Sequence, residues 1–365
     1  MSKTESEEFW GYFHHTIILD TLRDFRQSGI RHAHLLWGGV GFATLQAARE
    51  RKSTDPKDRI FALYRIFQII GIKTLEPDYE LPTTFLYMMV SFLSIWATRS
   101  VQVLGHVLSG QRIHDLPSWV PDWSEPPVQH AIMANEQRRM PLVDMDLIDP
   151  SVLPNLPLRG NLYAKVNSVG TRMPKGPGVD SIECYISWHR LALQLDSYPT
   201  GQSVLTAFGQ TLLMAFQSEN IDLDEKLRDL KLWSKVLIAS ETPSSRRSLA
   251  TTGHTSEVES MEPYLFVSQC LAQHKGLMRL MATFHREVNG SVFFTTSTGQ
   301  MGISYGNIKP GDLIVLFAGA EEPNIIRPVS KNYEFVGRAY VHALNWDEAL
   351  PQETRVEDLE IFVLI

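Results

Sequence analysis

The sequence predicts an α+β protein, with a helical N-terminal half followed by a small antiparallel β-sheet or barrel that carries an inserted helical segment. Three observations lead there. Apolar residues recur near a helical period through residues 1–115. A Pro- and Trp-rich stretch then opposes regular helix over residues 116–155. After Asn289, short apolar runs alternate with Gly, Pro and Asn turns. The segments are therefore 1–115 helical, 116–155 connector, and 156–365 an α+β C-terminal domain with a mobile loop at 242–262. At 365 residues the chain exceeds what one core usually organises.

Phe9–Arg26 and Leu35–Arg51 read as amphipathic helices. Ser53–Ile60 reads as a helix start, with Thr54 or Asp55 capping free amides, Pro56 in the first turn, Asp58 complementing the dipole and Gly71 as the stop. Leu81–Thr98 carries no charge, but Pro82 and several Ser and Thr residues leave an apolar centre, Phe85–Ala97, that is too short for a bilayer and suits a buried helix. In the connector, Trp119 and Trp123 are the expected anchors, because large aromatics bury much area and their indole N–H groups seek partners.

Leu156–Val169 alternates like a strand, whereas Cys184–Leu195, Val204–Phe216, Glu225–Ile238 and Pro263–His285 read as helices. Thr242–Glu262 is rich in Ser and Thr, which predicts a surface loop, and Arg246-Arg247-Ser248 within it has the pattern of a basic-directed phosphorylation site. The expected strands are Ser291–Thr296, Asp312–Ala318, Asn324–Pro328, Phe335–His342 and Ile361–Leu364. If Leu156–Val169 joins them, the intervening helices are an insertion between strands of one sheet.

Composition excludes several classes. Hydrophobic residues make up 44% and charged residues 21%, as in a globular protein, and the net charge of -7 gives no footprint for nucleic acid or an anionic membrane. Cys184 and Cys270 are the only cysteines and lie far apart, which argues against a disulfide framework or a zinc site and fits a reducing compartment. The polar, acidic N-terminus lacks a signal-peptide apolar stretch, so the expected location is intracellular and the sequon at Asn289 is read as chance.

Candidate chemistry is incomplete. Gly302-Ile303-Ser304-Tyr305-Gly306 matches G-x-S-x-G, the nucleophile turn of some hydrolases, with Asp312 or Asp347 and His342 as the available partners; the following turn supplies no helix for an oxyanion. A hydrolase using Ser304 is therefore the alternative function, and a non-functional remnant a further one. Gly38-Gly39-Val40-Gly41 departs from the dinucleotide fingerprint, and His14-His15 and His32/His34 lack metal-ligand spacing, so no cofactor and no metal are expected.

Three ordered blocks carry a family resemblance: Ser53-Thr54-Asp55-Pro56-Lys57-Asp58-Arg59-Ile60-Phe61-Ala62-Leu63, then Pro77-Asp78-Tyr79, then Leu116-Pro117-Ser118-Trp119-Val120-Pro121-Asp122-Trp123-Ser124. Together they resemble the fungal heterokaryon-incompatibility (HET) domain family, and the β-rich C-terminal part resembles the region that follows the domain in many such proteins. The family's early blocks have no counterpart upstream of Trp10, so the resemblance covers the later part only. It implies a cytoplasmic non-self-recognition protein that signals through protein partners, with residues 1–115 holding the C-terminal portion of a HET-like domain. The family domain has been likened to Toll/interleukin-1-receptor-like death-signalling domains, some of which cleave NAD. Without the early blocks, the expectation is a protein that does not itself execute cell death, with no catalytic residue carried over. Asp55, Pro56, Asp58, Arg59, Asp78, Tyr79, Trp119, Pro121, Asp122 and Trp123 are the expected structural residues of the family motifs; of these Asp55, Asp58, Arg59, Trp119, Asp122 and Trp123 are expected to stabilise the junction of the helical and β-rich parts, with Arg59 paired to a carboxylate.

Overall fold

The computed structural model describes residues 42–49, 51–65, 77–107, 113–126, 142–176, 178–213, 223–249, 260–351 and 353–365. The expected helix Phe9–Arg26, the four N-terminal histidines, the glycines at 38–41 and Gly71 lie outside them.

The N-terminal part contributes α1 (Phe42–Arg49), the single turn α2 (Asp58–Phe61) and α3 (Thr83–Thr98), followed by a 3₁₀ turn at Gln102–His106. Pro82 sets the entry to α3, and Arg99 ends it in the left-handed conformation (φ 53°), donating its N–H to Ile95 O at 2.8 Å. The helix is apolar nearly all round and buried nearly all round, as Leu81–Thr98 predicted. Among the described residues no helix is long and apolar enough to cross a membrane.

Strand β1 (Leu156–Arg172) is long and feeds a seven-stranded sheet with β2 (Val292–Thr296), β3 (Met301–Ser304), β4 (Leu313–Phe317), β5 (Asn324–Val329), β6 (Asn332–Val341) and β7 (Glu360–Leu364). The order is β2-β3-β6-β5-β4-β1-β7, and β1 also pairs with β2, so the sheet folds back on itself. It is a mixed sheet and not a regular barrel: β1 and β6 each serve both halves, and β7 joins β6 in parallel at one register pair, Tyr333 with Leu364.

Between β1 and β2 lie α4 (Val179–Ala192), α5 (Val204–Leu213), α6 (Leu223–Glu241), α7 (Pro243–Leu249), α8 (Pro263–Gln273) and α9 (Lys275–Val288). Because β1 and β2 pair directly, with Val166 opposite Thr296 and Val169 opposite Phe294, these helices are an insertion in one sheet, as the strand pattern predicted. A short helix α10 (Trp346–Ala349) precedes β7.

The core has three main parts. N-terminal helices and the tryptophan stretch pack on one face of the sheet, with Phe92, Trp119 and Trp123 in the same cluster as Leu158, Val315 and Phe317. Inserted helices pack on another face through Phe293, Met301 and Ile303. Val166, Phe294, Ile314 and Ile325 fill the space inside the fold of the sheet. Strands β2 and β4 are therefore covered on both sides, which is why they read as unbroken apolar runs and not as alternations.

Three local features depart from the sequence expectation. Pro263–His285 is two helices broken at His274 (φ -122°, ψ 102°), and beyond the break Gly276 sits so close to α6 that a Cβ would lie 2.3 Å from Asp229 Oδ1. Gly302–Gly306, the match to the nucleophile turn, begins instead in a strand, Met301–Ser304, which the sequence pattern does not mark. Pro243–Leu249, within the expected mobile loop, is a helix, because the buried Arg246 donates to Ser240 O (2.6 Å) and to Met261 O and ties the segment down. Residues 250–259 of that stretch lie outside the described residues.

Candidate functional site

The first and third sequence blocks meet at α1, and the second packs against the first at α2. In the first, Asp55 Oδ1 accepts the Lys57 N–H at 2.9 Å, and Pro56 O accepts the Tyr87 hydroxyl of α3 at 2.8 Å. In the second, Tyr79 donates its hydroxyl to Asp58 Oδ1 at 2.6 Å, its ring meets Phe61 edge-on at 5.0 Å, and its carbonyl accepts Lys57 Nζ. Asp78 Oδ1 accepts the Glu80 N–H at 2.9 Å and so shapes the turn locally. Tyr79 is half exposed, and its hydrogen bond to Asp58 raises its pKa above the usual phenol value.

Arg59 departs from the expected ion pair. Among the described residues it donates to Arg49 O (2.6 Å), Ala48 O (3.5 Å) and Ser53 Oγ (3.3 Å). The carbonyls at the end of α1 have no intrahelical N–H donors further along the chain, so a guanidinium there satisfies helix-end acceptors that a carboxylate pair would leave open.

Arg49 itself reaches the third block. Its side chain is 2% exposed and donates to Glu125 O (2.8 Å), Asp122 O (3.2 Å) and His106 O (3.5 Å), with its guanidinium 5.4 Å from the Trp123 ring centroid. Burial pulls its pKa down to about 10, while Asp122 and Glu125 oppose the shift, so it stays charged at neutral pH. Asp122 folds the loop: Oδ1 accepts the Ser124 N–H and hydroxyl, and Oδ2 accepts the Ile113 N–H at 2.9 Å. Pro121 is buried between the two tryptophans.

The tryptophan stretch is in turn fastened to the sheet. Trp119 Nε1 donates to Pro154 O (2.8 Å) just before β1, and Trp123 Nε1 to Ser91 Oγ of α3 (3.3 Å). Ser118 Oγ accepts the Phe335 N–H of β6 (2.8 Å), while the Ser118 N–H donates to Ile365 O (2.8 Å). Next to it, Arg338 of β6 pairs with Glu322 at 3.0 Å and lies where a Cβ on Gly105 would stand, 2.7 Å from its Cζ. His106 stacks near Trp123, and burial with Arg338 and Arg49 nearby lowers its pKa to about 3; burial raises Glu322 to about 7.

Ser118 lies in the third block, but neither Arg49, His106, Glu322 nor Arg338 is singled out by the sequence as a member of this cluster. Their partners are carbonyls, rings and charges brought together by the fold, and no local pattern marks them.

Ser304 is in a different place and has a different setting. It is fully buried at the end of β3, donating to Arg338 O (2.7 Å) and accepting the Gly306 N–H (3.1 Å). Two of its nominated partners are engaged elsewhere: Asp312 pairs with Arg327 (2.9 Å), and His342 contacts Gln202 (3.0 Å) and Tyr340 (3.1 Å). Gly302 has a packing reason, since a Cβ would lie 2.3 Å from Phe294 Cζ and 2.4 Å from Tyr340 O. Arg246 of the Arg-Arg-Ser pattern is buried and bonded to carbonyls, so a kinase has no access to it in this conformation.

Residues 211–362 match the Het-6 beta-barrel domain. A Neurospora crassa protein, "Heterokaryon incompatibility protein 6, OR allele", is 22% identical over 346 residues, covering 79% of this chain and 48% of that protein. The chain is a distant homologue of that incompatibility protein. It thus spans about half the length of the curated relative that it matches. No solved structure matches. The matched domain begins within α5, yet β1 lies before it and pairs with β2, β4 and β7, so the folded unit of the Het-6 match extends back to Leu156.

Proposed function

We propose that this chain is a signalling or interaction protein of heterokaryon incompatibility, working in the cytoplasm through protein contacts, with the three sequence blocks as the scaffold that holds the helical part on the sheet. The observation that carries this reading is the homology, spread over 79% of the chain, to a protein named for that process. The geometry supports the scaffold part: Asp55 shapes the first block locally, Tyr79 ties the second block to Asp58 of the first, and Asp122, Trp119 and Trp123 hold the connector between α1, α3 and the sheet. The hydrolase alternative gains no support, because the Ser304 hydroxyl is committed to two backbone groups.

The test is genetic. The coding sequence is placed in a Neurospora crassa strain lacking the related protein, and the transformant is paired with tester strains. Restricted heterokaryon growth with dye-permeable fusion cells in some pairings, and normal growth in others, is the expected result. Unrestricted growth with every tester would overturn the reading.

A further inference from the structure

The inserted helices carry a concave site unrelated to the three sequence blocks. Between α5 and α6 lies a half-open cavity of about 310 Å³, at the small end of the roughly 300–1,000 Å³ range of small-molecule pockets. Its floor is apolar. Leu205, Leu230 and Ile238 line it, and Gly209 lets the helices close up, since a Cβ there would lie 2.8 Å from Leu230 Cδ2.

Its rim is cationic. Lys231 and Lys235 stand four residues apart on α6, hence on one face, and both are exposed. Among the described residues the cavity lining contains no carboxylate, in a chain whose net charge is -7. Among the described residues neither lysine forms an ion pair, whereas the neighbouring Glu241 of α6 is held by Arg190 at 2.9 Å. Ser234 and the helix-capping Ser203 complete the polar edge.

We infer that this cavity binds a small amphipathic anion, with an apolar body seated on Leu205, Leu230 and Ile238 and a carboxylate or phosphate head held by Lys231 and Lys235. A neutral apolar molecule would fill the floor and leave both ammonium groups unused. A peptide helix would need a longer groove than this one. The inference does not depend on the incompatibility reading.

Calorimetric titration of the full chain with octanoate, and with octan-1-ol as the neutral counterpart, tests it. Octanoate should bind at one saturable site about tenfold more tightly than the alcohol. In the Lys231→Gln/Lys235→Gln double variant, octanoate should fall to the alcohol's affinity while the alcohol is unchanged. A Ser234→Trp variant, which fills the mouth, should lose both, with its thermal melt checking that it remains folded. Equal binding of acid and alcohol, an unaffected lysine variant, or no saturable binding of octanoate would overturn the inference.

Discussion

Where the N-terminal helices meet the sheet, the contact depends on a buried cation, two indoles and backbone carbonyls; where the inserted helices meet it, aromatic packing does most of the work. Arg49, 2% exposed, bonds to three carbonyls beside Trp123, and Arg338 pairs with Glu322 next to the 3₁₀ turn. On the inserted side, Trp188 of α4 stacks on Phe293 at 5.8 Å, donates Nε1 to Thr171 O at 2.7 Å, and occupies the space that Gly170 leaves by lacking a Cβ. The difference matters because buried polar contacts depend on every partner, whereas an apolar layer tolerates volume-conserving change.

The largest expected effect breaks both sides alike. Trp123→Ala and Trp188→Ala each remove a fully buried indole and should cost about 3–5 kcal/mol in chemical denaturation. A loss below about 1 kcal/mol at either position would remove that residue from the core account.

The second prediction separates the two regions. Arg49→Met keeps the volume but leaves three carbonyls without their donor, and should cost about 2–3 kcal/mol. Met281→Leu, a comparable apolar exchange at the edge of the inserted layer, should stay within about 1.5 kcal/mol. Similar losses in the two variants would erase the contrast.

Gly302→Ala sharpens the comparison inside the sheet. Its added carbon meets the Phe294 ring and the Tyr340 carbonyl, and should cost about 1–3 kcal/mol by overpacking, measured as a shift of the denaturation midpoint. A serine-directed phosphonate probe should leave Ser304 unlabelled; labelling abolished by Ser304→Ala would reinstate the nucleophile.

The pH dependence bears on both regions at once. Burial lowers His106 to about 3 and His189 and His342 to about 4, so between those values and the unfolded value of 6.5 the unfolded chain binds more protons and stability rises with pH. Glu322 acts with opposite sign: raised from 4.5 to about 7, it loses stability as pH climbs through that window. Three histidines outweigh one carboxylate, so the melting temperature should climb from pH 4 to about 6.5 and then decline slightly. In Glu322→Gln the late decline should vanish; a decline that persists assigns it to another group.

Much of the fold was legible in the sequence. The apolar runs within Ser291–Thr296 and Asp312–Ala318 read as strands, and the apolar, uncharged centre Phe85–Ala97 reads as a buried helix, as the structure has them. What stayed hidden depends on distant partners. Met301–Ser304 is a strand because Gly302 fits under the Phe294 ring, and Pro243–Leu249 is a helix because Arg246 finds carbonyls on both flanks. The candidate site divides in the same way. Its tryptophans and aspartates stand out by composition, while Arg49 looks like any helix-end arginine until Asp122 and Glu125, more than seventy residues away, are brought to it.

The proposal that the sequence blocks form one joint is tested most directly by a double-mutant cycle between Arg49→Met and Trp123→Phe in denaturant unfolding. The single and double variants should give a coupling of about 1 kcal/mol or more, since the guanidinium lies against the ring in a buried setting. Additivity within about 0.3 kcal/mol would mean that the two side chains act independently, and would contradict the joint.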